Sequence, residues 1–293
     1  MSLSTKIFNS ISNNRTGRAL ATLFGKNAPE SLNILFDSSN GKIGSAAGAG
    51  LSPAIWGDCP RGLMLVDPTL GHFVGDDFTK ANTKTFTTAY DYELAGTNGT
   101  FTQGASDPNG VAVITATGSD NDEANVNMNS GTGIIKLDAS TDWWFETRVK
   151  INQITTAQGV FVGLITDDIT MGTDFHTDNT MAMKVQDALG FQIIAATNIA
   201  AVWQSQMTLT GGARAAINAT LETASTGWIK LGMKCVSGVV TFFVNGVLDA
   251  ESTTSATTNY PLDQYVVPAF ATKCGSATAN TLSVDWWYAT QLR

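Results

Sequence analysis

Charge is in short supply in this chain. Only 14% of its 293 residues are Asp, Glu, Lys or Arg, against about 25% in a typical soluble domain. Cysteine and histidine are scarcer still, limited to Cys59, Cys235, Cys274, His72 and His176. An odd, sparse cysteine set is not a disulfide framework. Cys235 and Cys274, each near the end of an apolar run, are the pair open to bridging; buried free thiols are the other reading. With two histidines, no Cys/His pair has the ligand spacing of zinc. A Ser-His-Asp arrangement would have to use one of them, and no G-x-S-x-G elbow occurs. Gly131-Thr-Gly133 and Gly211-Gly212 lack the strand-loop-helix context of a phosphate loop. No apolar run approaches the ~18 residues expected of a transmembrane helix. The opening MSLSTKIFNSISNNRTGRA has no continuous apolar stretch and no small-residue cleavage pattern, so a secretory leader is not expected there. Without a secretory route the sequons at Asn14, Asn98 and Asn218 carry little weight.

Thr, Asn, Ser, Ala and Gly take the place of charge, and the apolar fraction of 43% is enough for a sizeable core. The net charge of −8 argues against non-specific binding of nucleic acid by the whole chain. The charge is uneven: Lys6, Arg15, Arg18, Lys26 and Lys42 precede an acidic body.

Residues 1–75 read as an arm. Leu3, Ile7, Phe8 and Ile11 suit one face of a short helix, and Leu20, Leu23 and Phe24 a second. A Gly/Ala/Ser run over 44–50 reads as a connector. Beyond it, Ala54-Ile-Trp56, Cys59-Pro60 and Gly62-Leu-Met-Leu-Val66 alternate apolar patches with breakers, as an extended strap would. The body of the chain or a partner must cover such patches.

From about residue 76 the pattern is short strands and polar turns. Trp228–Ala250 is the clearest part: two turn signals, Ser237-Gly238 and Asn245-Gly246, join three apolar runs into an antiparallel meander, Asn-Gly being a strong type I′ hairpin signal. Trp143–Ile151 alternates, with Trp143, Phe145, Thr147, Val149 and Ile151 on one face and Trp144, Glu146, Arg148 and Lys150 on the other. Val111–Ala116, Val160–Ile165, Val266–Thr272 and Leu282–Leu292 are further strands. In the last, Leu282, Val284, Trp286 and Tyr288 are expected to share a face, with Asp285 and Trp287 opposite. Met181–Val185 and Phe191–Ala195 read as a hairpin, and Arg214–Ala224 as a loop with a turn of helix. Strands this short and this regularly spaced imply an all-β antiparallel sandwich.

The order WWFETRVKI, GVFVGLITDD, GFQIIA, GWIKLGMKC, VVTFFVNGVLDA and LSVDWWYATQLR resembles the concanavalin A-like lectin/glucanase superfamily, including laminin-G-like jelly rolls. The resemblance covers roughly Phe73 to Arg293 and implies an all-β antiparallel β-sandwich (jelly roll) over 76–293, preceded by the arm. Retaining glucanases of the superfamily use an E-x-D-x-x-E strand to place two carboxylates for nucleophilic and acid/base duty. That triplet is absent, so no enzymatic activity is expected, and Glu146 and Arg148 read as a surface ion pair. The superfamily also makes calcium a candidate for the acidic stretch Thr166–Asp178 and for Asp120, Asp122 and Glu123, whose oxygens are of the kind Ca²⁺ takes, although the spacing matches no EF-hand and solvated loops are the plainer reading.

Two uses of the fold follow. Low charge, hydroxyl-rich composition and an apolar strap ahead of a jelly roll resemble a tailed-bacteriophage virion protein. That resemblance implies a capsid decoration or cement protein on the capsid exterior, made in the host cytoplasm and homo-oligomeric. It would grip the major capsid protein or copies of itself through Phe8, Phe36, Trp56, Leu63 and Leu65. The alternative is a non-catalytic carbohydrate-binding module or fibre component, with an aromatic platform for a surface glycan. Seven tryptophans supply candidates, and Trp203, in an otherwise polar stretch, is the one expected to be exposed. Neither use calls for a membrane.

Overall fold

The computed structural model describes residues 50–61, 64, 67–79, 92–104, 110–128, 133–166, 174–184, 186–195, 202–208, 215–254 and 259–293. In chain order the elements are the helical turn α1 (Pro53–Trp56), then β1 (Gly71–Asp76), β2 (Tyr92–Ala95), β3 (Gly99–Gln103), β4 (Ala112–Ala116), β5 (Glu123–Met128), β6 (Ile135–Lys136), β7 (Trp143–Ile151), β8 (Gln158–Thr166), β9 (Ala188–Ala195), β10 (Val202–Thr208), β11 (Ala215–Thr223), β12 (Ile229–Val236), β13 (Val239–Val244), β14 (Val247–Thr254), β15 (Tyr265–Cys274) and β16 (Asn280–Leu292).

Two antiparallel sheets result. The first runs β14-β13-β12-β7-β16-β4-β3, with β1 also on β16; the second runs β11-β10-β9-β8-β15-β5-β2, with β6 on β15. The sheets bury their facing sides on one another. Trp143, Phe145, Val149, Leu231, Met233 and Phe242 from the first meet Val162, Leu164, Leu189, Phe191 and Phe270 from the second. The all-β sandwich expected from the sequence is therefore the fold.

The meander forms because both of its turns hold positive φ at both central residues. Ser237 and Gly238 sit at 52° and 76°, Asn245 and Gly246 at 50° and 73°, the type I′ pattern whose twist matches the flanking strands.

Three strand expectations need correction. Residues 215–223 form β11, paired with β10, and not a helical loop: cross-strand pairing overrides the helical propensity of its alanines. Met181–Val185 is not half of a hairpin. Met183 makes an isolated bridge to His176, and β9 pairs with β8 and β10 instead. In β16 the register against β7 shifts between Val284 and Trp286. This one-residue bulge reverses every later side chain. Trp287 and Ala289 therefore join Leu282 and Val284 in the core, while Tyr288 turns out to meet Phe73. All three cysteines are free and buried, so the bridging alternative for Cys235 and Cys274 falls away. Burial pushes the Cys59 thiol up to about 12 and Cys235 to about 11, which keeps both protonated.

Candidate functional site

The strap lies on the outer side of the first sheet. Ile55, Trp56, Cys59 and Met64 pack against Trp144 and Phe243. At the centre is Glu146, which is 0% exposed. Its Oε2 accepts the Ser52 backbone N–H at 2.9 Å and the Trp56 Nε1–H at 2.7 Å. Around it, Lys230 Nζ donates to the Gly50 carbonyl at 2.9 Å, Lys234 Nζ to Asp58 at 2.7 Å, and Trp144 Nε1 to Asp58 at 2.8 Å. Burial raises the Glu146 pKa, and the bonds to Ser52 and Trp56 with the Lys230 charge partly offset it. The expected Glu146–Arg148 surface pair is therefore wrong: Arg148 pairs with Asp285 at 2.5 Å, and Glu146 anchors the strap. Trp56, named above as a grip for a partner, is 1% exposed and is covered by its own chain. Phe8, Phe36, Leu63 and Leu65 lie outside the described residues. The expected boundary at 75/76 falls inside β1, which is hydrogen-bonded to β16.

Trp203 is not an exposed platform. It is 1% exposed because its pairing with Ile193 puts it on the inner face of the second sheet. The outer face of that sheet is closed as well. Phe161, Ile165, Ala188, Val267, Ala269 and Ala271 pack under Phe175 and Met183. A buried ionic network staples this cover down. Glu123 accepts His176 Nδ1 at 2.7 Å and the N–H groups of Phe175 and His176 at 3.1 and 2.8 Å. Lys273, 1% exposed, lies 3.5 Å from Glu123 and donates to Asp174 and Asp178 at 3.1 and 2.6 Å. Of the calcium candidates, Glu123, Asp174 and Asp178 are thus engaged by lysine and histidine. Asp122 is likewise committed to Asn98, Thr117 and Ser119.

Among the described residues an open concavity lies elsewhere. A cleft of about 330 Å³ opens where β1 and β16 of the first sheet meet β2 and β5 of the second, lined by Val74, Gly75, Asp76, Asp77, Tyr92, Met128, Trp287 and Tyr288. The bulge in β16 makes it: by reversing the strand it sends Trp287 to the cleft floor and Tyr288 to its wall. The floor is a hydrogen-bonded relay. Trp287 Nε1 donates to the Tyr92 hydroxyl at 2.7 Å, which donates to Asp76 Oδ2 at 3.0 Å, while Asp76 Oδ1 accepts the Phe78 N–H at 2.8 Å. Asp77 caps its own turn through the Thr79 hydroxyl at 2.8 Å. The ring of Tyr288 stacks on Phe73 at 5.3 Å and tilts against Trp286 at 5.7 Å. It lies against Gly75, where a Cβ would come within 2.1 Å of the ring, so glycine is required there. Burial, then the carboxylates of Asp77, Asp76 and Asp285, raise the Tyr288 pKa, so its phenol stays a neutral donor. Of the lining residues only Trp287 is among the tryptophans that the sequence offers as glycan candidates; the doublet Asp76-Asp77 beside an apolar run was the other available signal.

Neither the family models nor the curated proteins give a match. Solved structures do. Peanut lectin, solved with a nine-residue peptide, overlays 76% of this chain and 99% of its own at a TM-score of 0.51 and 11% identity. A Bacteroides ovatus GH16 protein from a mixed-linkage glucan locus, solved with a G4G4G3G product, gives 0.49 over 73% and 98% at 9% identity. A Mycobacterium abscessus putative beta-glucanase gives 0.46 over 74% and 98% at 13% identity. The fold is a jelly-roll sandwich like that of peanut lectin. At these identities the likeness to peanut lectin establishes the fold and nothing more.

Proposed function

We propose that the protein is a non-catalytic carbohydrate-binding jelly roll that takes its sugar in the cleft between β1 and β16. The observation that carries this is a fixed aromatic ring, Tyr288, beside the acceptors Asp76 and Asp77 and the Tyr92 hydroxyl. A pyranose offers the complement, an apolar C–H face and a rim of hydroxyl donors. Apolar walls with a few placed polar groups are the usual make-up of a small-ligand site. The ring is held by Phe73 and Trp286 before any ligand arrives, which lowers the ordering cost of binding. The overlay on a lectin supports the reading at the level of fold.

The non-catalytic part rests on the carboxylates. Asp76 ends β1 and Asp77 follows it directly, each tied to its own segment by hydrogen bonds. Glycoside hydrolysis needs two carboxyl groups flanking the bond to be cleaved, and among the described lining residues these two adjacent ones are the acids. The cement-protein reading loses its one described contact, Trp56, to an intrachain role, and no neighbour supports a capsid, so it is the weaker account.

A glycan-array screen of the full chain tests the proposal. Binding to at least one glycan class is expected, reduced about tenfold or more in Tyr288→Ala, in line with the worth of an aromatic contact. An array with no binding would rule the reading out.

A further inference from the structure

The geometry points to a sugar bearing a free amino group, a glucosamine-type residue, as the preferred ligand of the cleft; this rests on the carbohydrate-binding reading above. Two carboxylates line the cavity and, among the described residues, no Lys, Arg or His does. The nearest cation on the adjoining strand, Arg148, is already neutralised by Asp285 at 2.5 Å. Asp77 uses only its Oδ1 in the turn, leaving Oδ2 with no protein partner among the described residues.

Asp76 is held in place by Tyr92 and Phe78, so it meets a ligand without reorganising. The walls add a second attraction. The face of a Tyr ring draws a cation that comes within about 6 Å, and of the two rings that border the cavity Tyr288 is the accessible one, Trp287 being buried. An ammonium group in this space finds charge-assisted acceptors and an aromatic ring together. A carboxylated or sulfated sugar meets two like charges in a chain of net charge −8, and like-charge juxtaposition is a strong device for rejecting a ligand. A neutral sugar uses the acceptors but gains nothing from their charge.

Calorimetric titration of the full chain separates the possibilities. The probes are glucosamine tetramer, N-acetylglucosamine tetramer, cellotetraose, sialyllactose and Nα-acetyl-lysine amide. Glucosamine tetramer should bind about tenfold or more tightly than either neutral oligomer, the scale of one charge-assisted hydrogen bond. Sialyllactose and the lysine amide should bind more weakly still. The preference should collapse in Asp77→Asn, whose side chain is exposed, and should shrink as salt rises. Equal affinity for charged and neutral oligomers, with binding still lost in Tyr288→Ala, would overturn the amino-sugar inference and leave the carbohydrate reading standing. Equal affinity for the lysine amide would overturn it in favour of a general amine site. No binding by any sugar would overturn both.

Discussion

Glu146 shows what a single buried acid does to this molecule. It sits in the middle of a sheet face with one oxygen serving two donors and the other, Oε1, without a partner among the described residues. Its pKa in the folded protein is raised by burial, so the folded state holds the proton more tightly than the unfolded chain. The destabilisation from ionising Glu146 is therefore present above the folded pKa and disappears below the ordinary carboxylate value. Urea unfolding of the native protein and of Glu146→Gln, followed from pH 7 downward, should show the native protein gaining on the variant as pH falls through that window; parallel curves would remove the buried charge from the account. Trp56→Ala should cost about 3–5 kcal/mol, the range for emptying an aromatic core position, measured the same way. A cost below about 1 kcal/mol would mean that the strap is not docked as described.

At the scale of elements, the bulge in β16 decides most. It converts a simple alternation into two phases and so sets which tryptophan is core and which ring lines the cleft. Trp287→Ala should lose about 3–5 kcal/mol in thermal or chemical unfolding. Tyr288→Ala, on the outward side of the strand, should lose clearly less; a reversed order would restore the unbroken alternation. The staple over the second sheet gives another expectation. Lys273→Met leaves Glu123 buried without its cation, a change worth about 3–5 kcal/mol, and cleavage by a protease within 174–184 should accelerate with it.

These elements also show what a sequence can reveal. The meander was legible because Ser-Gly and Asn-Gly need positive φ and mark their turns locally, and β7 was legible because both of its faces alternate without interruption. The bulge was not, since one extra residue within LSVDWWYATQ has no compositional mark. The partner of Glu146 was not legible either, because Ser52 lies 94 positions away. Trp203 misled for a related reason: its polar neighbours in AVWQSQ suggested exposure, whereas pairing with β9 turns Gln204 outward and buries the tryptophan with Ser205.

For the whole molecule, the cleft is a product of the fold and not of any motif. It draws on β1 and β16 from one sheet and β2 and β5 from the other, strands that are far apart in sequence. The sandwich was readable from strand spacing and turn signals; the place where the two sheet edges meet depends on register and on the β16 bulge. The strap fits the same picture. Its Trp56 ring contacts Phe73 at 5.8 Å, and Phe73 in turn carries Tyr288, so three rings in contact connect the strap anchor to the cleft wall. Loosening the strap with Trp56→Ala should therefore weaken sugar binding as well as stability, by several-fold in affinity in the same calorimetric titration; unchanged affinity in that variant would show that the cleft wall stands without the strap.

The most direct test of the central claim is a crystal structure of the full chain with the strongest sugar from the array. The account predicts a pyranose ring within about 4 Å of the Tyr288 ring, with its hydroxyl or amino groups on Asp76 and Asp77. A sugar bound on the outer face of the second sheet, or anywhere away from β1 and β16, would contradict it.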